Sequence, residues 1–553
     1  MIHLGLQTEY SFRKCFGRIN DIVKHIADMG HTHAGIADVN NTFGHTDWDK
    51  ACKQYGVSPI FGVRLWVIKE KEKWDARRCN NPLIFIAKND DGLQDIYSLV
   101  KKAYVSFHYI PRLYEYDLMD LDNVYIGQQP FVHDLTLPLD FFAIENSYIL
   151  PQDKAVYEVI AGAQKRGNDY YHKFERTTYP RHILTDDECE YHIPKHNIIT
   201  TNSKAGECSA KLPMATMAKY TGGNNLELIC RTNLTNWGLD SGEYSGRLEY
   251  EINLIKEKGY MDYFMIVADM VNDAKKTMFV GPSRGSSAGS LVCYLLGITT
   301  IDPIRFNLLF ERFIDINRCD LPDSDIDFPD RKREKVVKWL RNTYGSDNVS
   351  CLGTINRLKP RSAINEFAMG LGIPKYETEN VKNSIIERSG GDERASMCIA
   401  DTFETTEPGK EFVKQYPEMS LASRAEAHAV YSGKHAAGII VADRALTEYG
   451  GVNAKKDIIM LDKNAAEYIG LLKIDCLGLR TLSVLEDVAD SVGWEYEDIY
   501  TMPLNDEKVF KIFNDMRLNG IFQFEGQSLR ILTRQIGVHK FDDIVALTAL
   551  ARP

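Results

Sequence analysis

The densest chemistry in the chain lies in PDSDIDF, Pro322 to Phe328. Side chains along an extended strand alternate between faces, so Asp323, Asp325 and Asp327 project together. Three carboxylates on one face repel one another unless a divalent cation neutralises them. Hard oxygen donors at this spacing suit magnesium, above all a pair of ions about a transferring phosphoryl group. A solvated acidic strand edge would have the same composition. A calcium loop does not fit, because Phe328 and Pro329 follow where such a loop needs a Gly and a distal Glu. Upstream, GPSRGSSAGS (Gly281 to Ser290) surrounds Arg284 with glycines and serines and leads into helix-like LVCYLLG. Exposed backbone N–H groups, hydroxyls, a guanidinium and a helix start together can cradle phosphates. The Gly-Lys-Ser/Thr of a Walker loop is absent, and a glycine-rich surface turn reads the same in isolation. Further pieces are FERF (Phe310 to Phe313), with Glu311 and Arg312 between aromatics, and KIDCLGLRTL, with Lys473 and Asp475 on one strand face. KHAAGIIVA (Lys434 to Ala442) reads as a basic loop entering a buried strand.

These residues need a scaffold of strands and helices, and the first ~200 residues alternate the two. Asn20 to Met29 reads as a helix with Ile22, Val23, Ile26 and Ala27 on one face. His33 to Ala37, Pro59 to Val67 and Pro82 to Ala87 read as buried strands. Strands alternating with helices predict βα units and a largely parallel sheet. Beyond Tyr220 the pattern shifts to long helices (Leu248 to Lys258, Tyr263 to Lys275), the Gly/Ser loop and short Asp-rich strands. Ser362 to Glu418 reads as mostly helical and charged.

The chain has 553 residues, 44% of them hydrophobic and 26% charged, the balance of an ordinary globular protein of several domains. Composition thus excludes a disordered tail, a collagen-like rod and a disulfide miniprotein. The net charge of −11 argues against a wholly basic nucleic-acid binder, though not against local basic strips. Eleven cysteines without a Cys-x-x-Cys pair read as reduced thiols. The longest apolar run, Ser290 to Ile298, falls well short of the ~18 residues of a membrane span. No secretory signal opens the chain. A cytoplasmic location with no membrane partner is expected.

In order, GPSRGSSAGSLVCYLLGITTIDPIRFNLLFERF, LPDSDIDF, HAAGIIVA, LLKIDCLGLRTL, GIFQFEGQSLRIL and FDDIVALTALARP resemble the bacterial C-family replicative DNA polymerases, the DNA polymerase III alpha subunits. The resemblance covers nearly the whole chain. It implies a multidomain α/β fold with a PHP (polymerase and histidinol phosphatase)-like domain over 1–215, a polymerase beta-like nucleotidyltransferase palm over 216–355 and 431–483, a helical thumb over 356–430 and the beginning of helical fingers over 484–553. It further implies a DNA-directed DNA polymerase that joins a deoxynucleotide to a primer 3′-hydroxyl with two Mg2+ ions. Asp323, Asp325 and Asp475 would hold the metals, Asp327 shares the face, and which two of the three strand carboxylates bind is left open. Arg284, Gly285, Ser286 and Arg312 would hold the triphosphate, with Lys473 in the catalytic group. Arg357, Lys359 and Arg361 of the thumb would grip primer-template DNA along its backbone, and Arg530, Arg534 and Lys540 of the fingers could do likewise. The alternative is a catalytically silent scaffold that binds primer-template in a replisome, against which the retained carboxylates argue.

Two departures from the family pattern matter. The family's opening HLHxHTEYS carries histidine metal ligands, but here HLGLQTEYS leaves Gly5 and Gln7 at those positions. The other ligand positions hold Asp38-Val39, Pro82 and Asn202-Ser203-Lys204-Ala205, while His31 and His33 fall off the pattern. Gly, Val, Pro and Ala offer no side-chain ligand and Gln is a poor one. The expectation is a PHP-like domain with no metal site and no nuclease activity, acting as a structural platform. The second departure is that the sequence stops at ALTALARP, where family members continue for about as long again. An apolar face of Ile544, Val545, Leu547 and Leu550 would then ask for a partner. A naturally split polymerase is expected, completed by a second polypeptide that carries the remaining fingers and engages a sliding clamp, with a bacteriophage origin suggested by the stripped N-terminal domain.

Overall fold

The computed structural model describes residues 1–68, 82–119, 121–129, 138–162, 180–317, 322, 324–388, 394 and 397–551. Its strands, in chain order, are β1 (His33–Val39), β2 (Ser58–Ile68), β3 (Leu83–Ala87), β4 (Arg112–Tyr114), β5 (Val124–Gln128), β6 (Phe141–Phe142), β7 (Asp325–Pro329), β8 (Val349–Arg357), β9 (Ala429–Val441), β10 (Val452–Asn453), β11 (Ile458–Ile459) and β12 (Leu472–Leu479). The chain folds as two units, one of residues 1–219 and 341–473, the other of 220–340 and 474–553.

In the first unit an N-terminal sheet runs β1-β2-β3-β5-β6, with β4 added to β2. Its strands are buried on both faces. Leu83, Phe85 and Ala87 of β3 face one core with Phe61, Val63 and Leu65, while Ile84 and Ile86 face another with Leu4, Ala37, Ile60 and Phe141. The helix Ile19–Asp28 closes the first core through Ile19, Ile22, Val23 and Ile26, a 3.6-residue spacing that its sequence announces. It stops at Gly30, whose φ of 80° only glycine adopts without strain. The sheet is mixed where the sequence predicts it largely parallel. β1–β2 is parallel, but β2–β3 and β3–β5 are antiparallel. Continuous apolar runs announce burial on both faces and carry no information on strand direction.

The same unit contains β8 paired antiparallel with β9, β11 parallel to β8, and β10 on β11. KHAAGIIVA is not a loop entering a strand. Lys434 and His435 lie within β9, where the His435 Nδ1 accepts the N–H groups of Ala437 and Gly438 at 3.2 and 2.6 Å. Helices Pro360–Gly370, Cys398–Thr405 and Glu407–Gln415 pack around Ile364, Phe367, Ile399, Phe403 and Phe412.

The second unit carries helices Leu226–Asn236, Gly242–Glu257 and Met261–Lys275, the strand pair β7–β12, and the C-terminal helices Glu507–Asn514, Gln527–Ile536 and Phe541–Leu550. Phe510, Phe513, Phe524, Leu529 and Leu547 form the core of that last group. Leu547 is thus not part of an open apolar face as expected. It is fully buried, whereas Val545 and Leu550 are 52% and 63% exposed. Among the described residues no helix is long and apolar enough to cross a membrane, and all nine described cysteines are free thiols.

Candidate active site

β7 and β12 run parallel and in register, Asp325 opposite Asp475 and Asp327 opposite Leu477. Register partners on neighbouring parallel strands share a face, so the Asp325 and Asp475 carboxylates emerge side by side. The interior residues Ile326, Phe328, Ile474 and Cys476 are buried and anchor both strands. Ser324 enters β7 with its N–H donated to the Tyr263 hydroxyl at 2.9 Å, and the Arg333 Nε donates to the Cys476 carbonyl at 2.6 Å. Asp323 lies outside the described residues. Lys473 is buried on β12, two residues before Asp475 and on the same face.

The Gly/Ser loop is fastened to the same strand. The Gly281 N–H donates to the Asp327 carbonyl at 2.8 Å, and a Cβ on Gly281 would come within 2.8 Å of the Asp327 Cβ, which only glycine avoids. Gly285, at φ 66°, brings the backbone so close that a Cβ there would sit 3.2 Å from the Asp325 carboxylate. The loop then makes a short turn, Gly285–Gly289, and enters the helix Leu291–Leu295. Arg284 turns its Nη1 onto the Asp327 carboxylate at 3.2 Å. Burial raises the Asp327 carboxyl above the usual carboxylate range, and Arg284 opposes that rise. Asp325 and Asp327 therefore differ in surroundings: one faces Asp475, the other faces a cation. Ser286 is half-buried in the loop, and Arg312 is exposed on the single turn Phe310–Arg312.

Sequence reading missed the group that fixes this loop. Glu251, on the helix Gly242–Glu257, is fully buried. It accepts the N–H groups of Leu291 and Val292, both at 3.0 Å, and the Ser290 hydroxyl at 2.8 Å. The Arg247 Nε, one turn earlier, donates to it at 2.7 Å, and the Arg247 Nη2 reaches the carbonyls of Gly289 and Leu308 at 2.8 and 3.2 Å. Burial raises the Glu251 carboxyl, and these donors oppose that. The available signal was an Arg–Glu pair four residues apart with the Glu on the apolar stripe of Leu248, Ile252 and Ile255.

The three cations expected on DNA stand in different surroundings. Arg357 closes β8 and gives its guanidinium to Glu9 at 2.6 Å, to the Tyr10 hydroxyl at 3.1 Å and to the Ala427 carbonyl at 3.1 Å. Its guanidinium is engaged within the chain, while its side chain remains 39% exposed. Lys359 and Arg361 are exposed at the start of the helix Pro360–Gly370, where the helix end adds positive potential. Arg361 also approaches Glu387 at 3.9 Å.

The donor set at β7–β12 fits hard divalent cations. Two carboxylates in register on one strand face are hard oxygen ligands of the kind such ions take, and Gly285 lets the loop backbone approach Asp325 closely. No three described Asp, Glu, His or Cys side chains gather as a metal site. The class defined is one in which a carboxylate pair on parallel strands is set beside a Gly/Ser loop. Three family models fall along the chain: the PHP domain over 3–128, the bacterial DNA polymerase III alpha NTPase domain over 224–478, and the bacterial DNA polymerase III alpha subunit finger domain over 481–553. DNA polymerase III subunit alpha of Staphylococcus aureus (strain NCTC 8325 / PS 47) is 31% identical over 593 aligned residues, across 100% of this chain and 54% of that protein. The subunit of the same name from Staphylococcus epidermidis is 28% identical with the same coverage. The chain belongs to the bacterial DNA polymerase III alpha family, and it spans about half the length of the curated relatives it matches.

Proposed function

We propose that this chain is the catalytic part of a template-directed DNA polymerase that joins a deoxynucleoside triphosphate to a primer 3′-hydroxyl. The single observation that carries the reading is the in-register pairing of Asp325 with Asp475 beside Gly285 of the Gly/Ser loop. Asp325 and Asp475, with Asp323, would hold two Mg2+ ions, which when bound lower the pKa of the attacking hydroxyl and neutralise charge on the transferring phosphoryl group and pyrophosphate. Backbone N–H groups from Gly285 and Ser286 would bind the triphosphate oxygens, and the Arg284, Arg312 and Lys473 side chains would offset their charge. Asp327, tied to Arg284, would orient that arginine and take no metal.

Lys359 and Arg361 would bind phosphates of the primer-template duplex without reading bases. The domain assignment that goes with this is PHP-like over 1–215, palm over 216–355 and 431–483, thumb over 356–430 and fingers from 484. The partners of this reading are primer-template DNA, the deoxynucleoside triphosphate and a second polymerase polypeptide that contacts a sliding clamp, in the cytoplasm of a bacterial or phage-infected cell. The test is primer extension with Mg2+ and four deoxynucleotides, by this chain alone and with that second polypeptide, against Asp325→Ala. Extension that Asp325→Ala abolishes is expected. No extension under either condition, with primer-template binding indifferent to Asp325→Ala, would leave a DNA-holding scaffold instead.

A further inference from the structure

The N-terminal domain poses a problem of its own, because the PHP fold implies a buried metal cluster and the residues here do not fit one. Gly5 and Val39 have no donor, and Pro82 and Ala205 have none either. Gln7 turns its amide N–H groups to the Glu145 carboxylate at 2.8 Å and the Asn146 carbonyl at 3.1 Å. Asn202 accepts the Ile2 N–H at 2.7 Å. Asp38, the one carboxylate left at these positions, has both oxygens engaged. Oδ1 accepts from the Thr8 N–H at 2.7 Å and the Ser11 hydroxyl at 2.6 Å, and Oδ2 accepts from the Thr8 hydroxyl at 2.7 Å. A metal would have to strip away three hydrogen bonds to gain one ligand.

What does occupy the site is a cation of the chain itself. Arg64 sits in the middle of β2, between Val39 of β1 and Ile84 of β3, and is 1% exposed. Arginine is almost never buried without anionic or carbonyl partners. Its Nη2 donates to the Gly5 carbonyl and its Nε to the Ala37 carbonyl at 3.2 Å. Both acceptors are on the segments that carry the former ligand positions, Gly5 itself and the residue before Asp38. A Cβ at Gly5 would come within 3.1 Å of the Arg64 Nη2, and equally of Ala143 and Ile84, so the absence of a side chain there lets the guanidinium pack this close. Asp38 and Glu145 are the carboxylates that feel its charge, since Arg64 helps to bring down the carboxyls of both. Burial pushes the Glu145 carboxyl up, but Arg64 leads the influences that bring it below the usual range, followed by the Gln7 hydrogen bond, Arg181 and Gln129. Lys14, half-buried, adds a second cation whose ammonium is disfavoured by desolvation and by Arg64 and supported by Glu145.

We propose that the Arg64 guanidinium, held by the Gly5 and Ala37 carbonyls and balanced by Glu145, replaces the metal cluster as the fixed positive centre of this domain. The N-terminal domain then folds without divalent metal and cannot be loaded with one. The inference concerns the first 219 residues and does not depend on the polymerase reading. It is tested on the full chain with Asp325→Ala as the parent (wild type at every other position and called wild type below), which removes the candidate metal site at β7–β12, by thermal unfolding and elemental analysis in Mg2+-free buffer, with EDTA, Zn2+ or Mn2+ as probes. Wild type should unfold at the same temperature with and without EDTA and retain neither Zn2+ nor Mn2+ after desalting. Arg64→Met, which keeps the length but takes from the half-buried Glu145 the cation that acts on it most, should lower the midpoint by roughly 10 °C. Gly5→Ala, which invades the guanidinium's space, should lower it in the same direction. Arg64→Met combined with Glu145→Gln should recover at least half of the loss, because the stranded charge is gone. Should Arg64→Met not fold, the double variant decides: a folded double variant supports a charge-balancing role, and an unfolded one overturns it. Loss of stability in EDTA, stoichiometric retention of Zn2+ or Mn2+ by the wild type, or an Arg64→Met as stable as the wild type would also overturn it.

Discussion

Three aspartates in PDSDIDF look equivalent as letters, yet the two described ones stand in different surroundings. Asp325 stands in register with Asp475, while Asp327 stands opposite Leu477 and pairs with Arg284 at 3.2 Å. A carboxylate committed to an arginine is a poorer metal ligand than one facing a second carboxylate, whose repulsion a cation relieves. Asp325→Asn should therefore abolish turnover, since the paired charge is needed in the transition state. Asp327→Asn should leave turnover within a few-fold and raise the nucleotide KM by roughly threefold to tenfold, the worth of a partly exposed ion pair near 1 kcal/mol. Steady-state kinetics on the active assembly separate the two. Equal loss of kcat in both variants would mean that Asp327 is a metal ligand after all.

At the scale of elements, the Gly/Ser loop is held by a side chain forty residues away. The helix Leu291–Leu295 has five residues, too few to hold itself in place. Its first N–H groups are fixed by Glu251, which is in turn neutralised by Arg247. Glu251→Gln keeps the shape but strands Arg247 and turns an N–H2 toward backbone donors. Breaking a buried pair in this way costs about 3 kcal/mol, read by urea unfolding, and the nucleotide KM should rise because the loop loses its anchor. An unchanged KM in a folded Glu251→Gln variant would show that the loop keeps its shape without this carboxylate. Little of this could be read from the letters. The carboxylate strands and the loop were legible because they are local patterns: alternation for β7, a Gly/Ser run for the loop, a Lys-x-Asp for β12. The Glu251 anchor, the antiparallel pairings of β3 and the position of His435 within β9 depend on residues far apart in the chain, which composition and spacing do not record. Arg64 is intermediate. A charged residue inside PIFGVRLWV breaks an apolar run visibly, but its meaning needs Gly5 beside it.

At the scale of the whole molecule, the first unit is assembled from two stretches of chain separated by more than a hundred residues. Ion pairs cross between those stretches at Arg13–Glu366, Arg357–Glu9 and Arg424–Asp153. Glu9 is the most demanding member. It is buried, burial raises its carboxyl above the usual range, and Arg357 heads the groups that oppose this. It also accepts the Ala429 N–H at 3.2 Å, so one carboxylate joins the Thr8-Glu9-Tyr10 segment to both β8 and β9. Arg357 continues the network to Tyr10, whose hydroxyl donates to Asp47 at 2.6 Å. An arginine so placed serves cohesion first. Arg357→Met should destabilise the first unit by about 2 kcal/mol, less than a fully buried pair because the Arg357 side chain is 39% exposed. Hydrogen exchange should show the loss in both stretches together, since each holds one end of the pair. Primer-template affinity should stay within about twofold in that variant. The double variant Lys359→Ala/Arg361→Ala should do the reverse, leaving stability unchanged while weakening DNA binding and lowering its salt dependence by about two released ions. A drop in DNA affinity for Arg357→Met with no change in exchange would return that residue to the duplex and leave Glu9 held by the backbone alone.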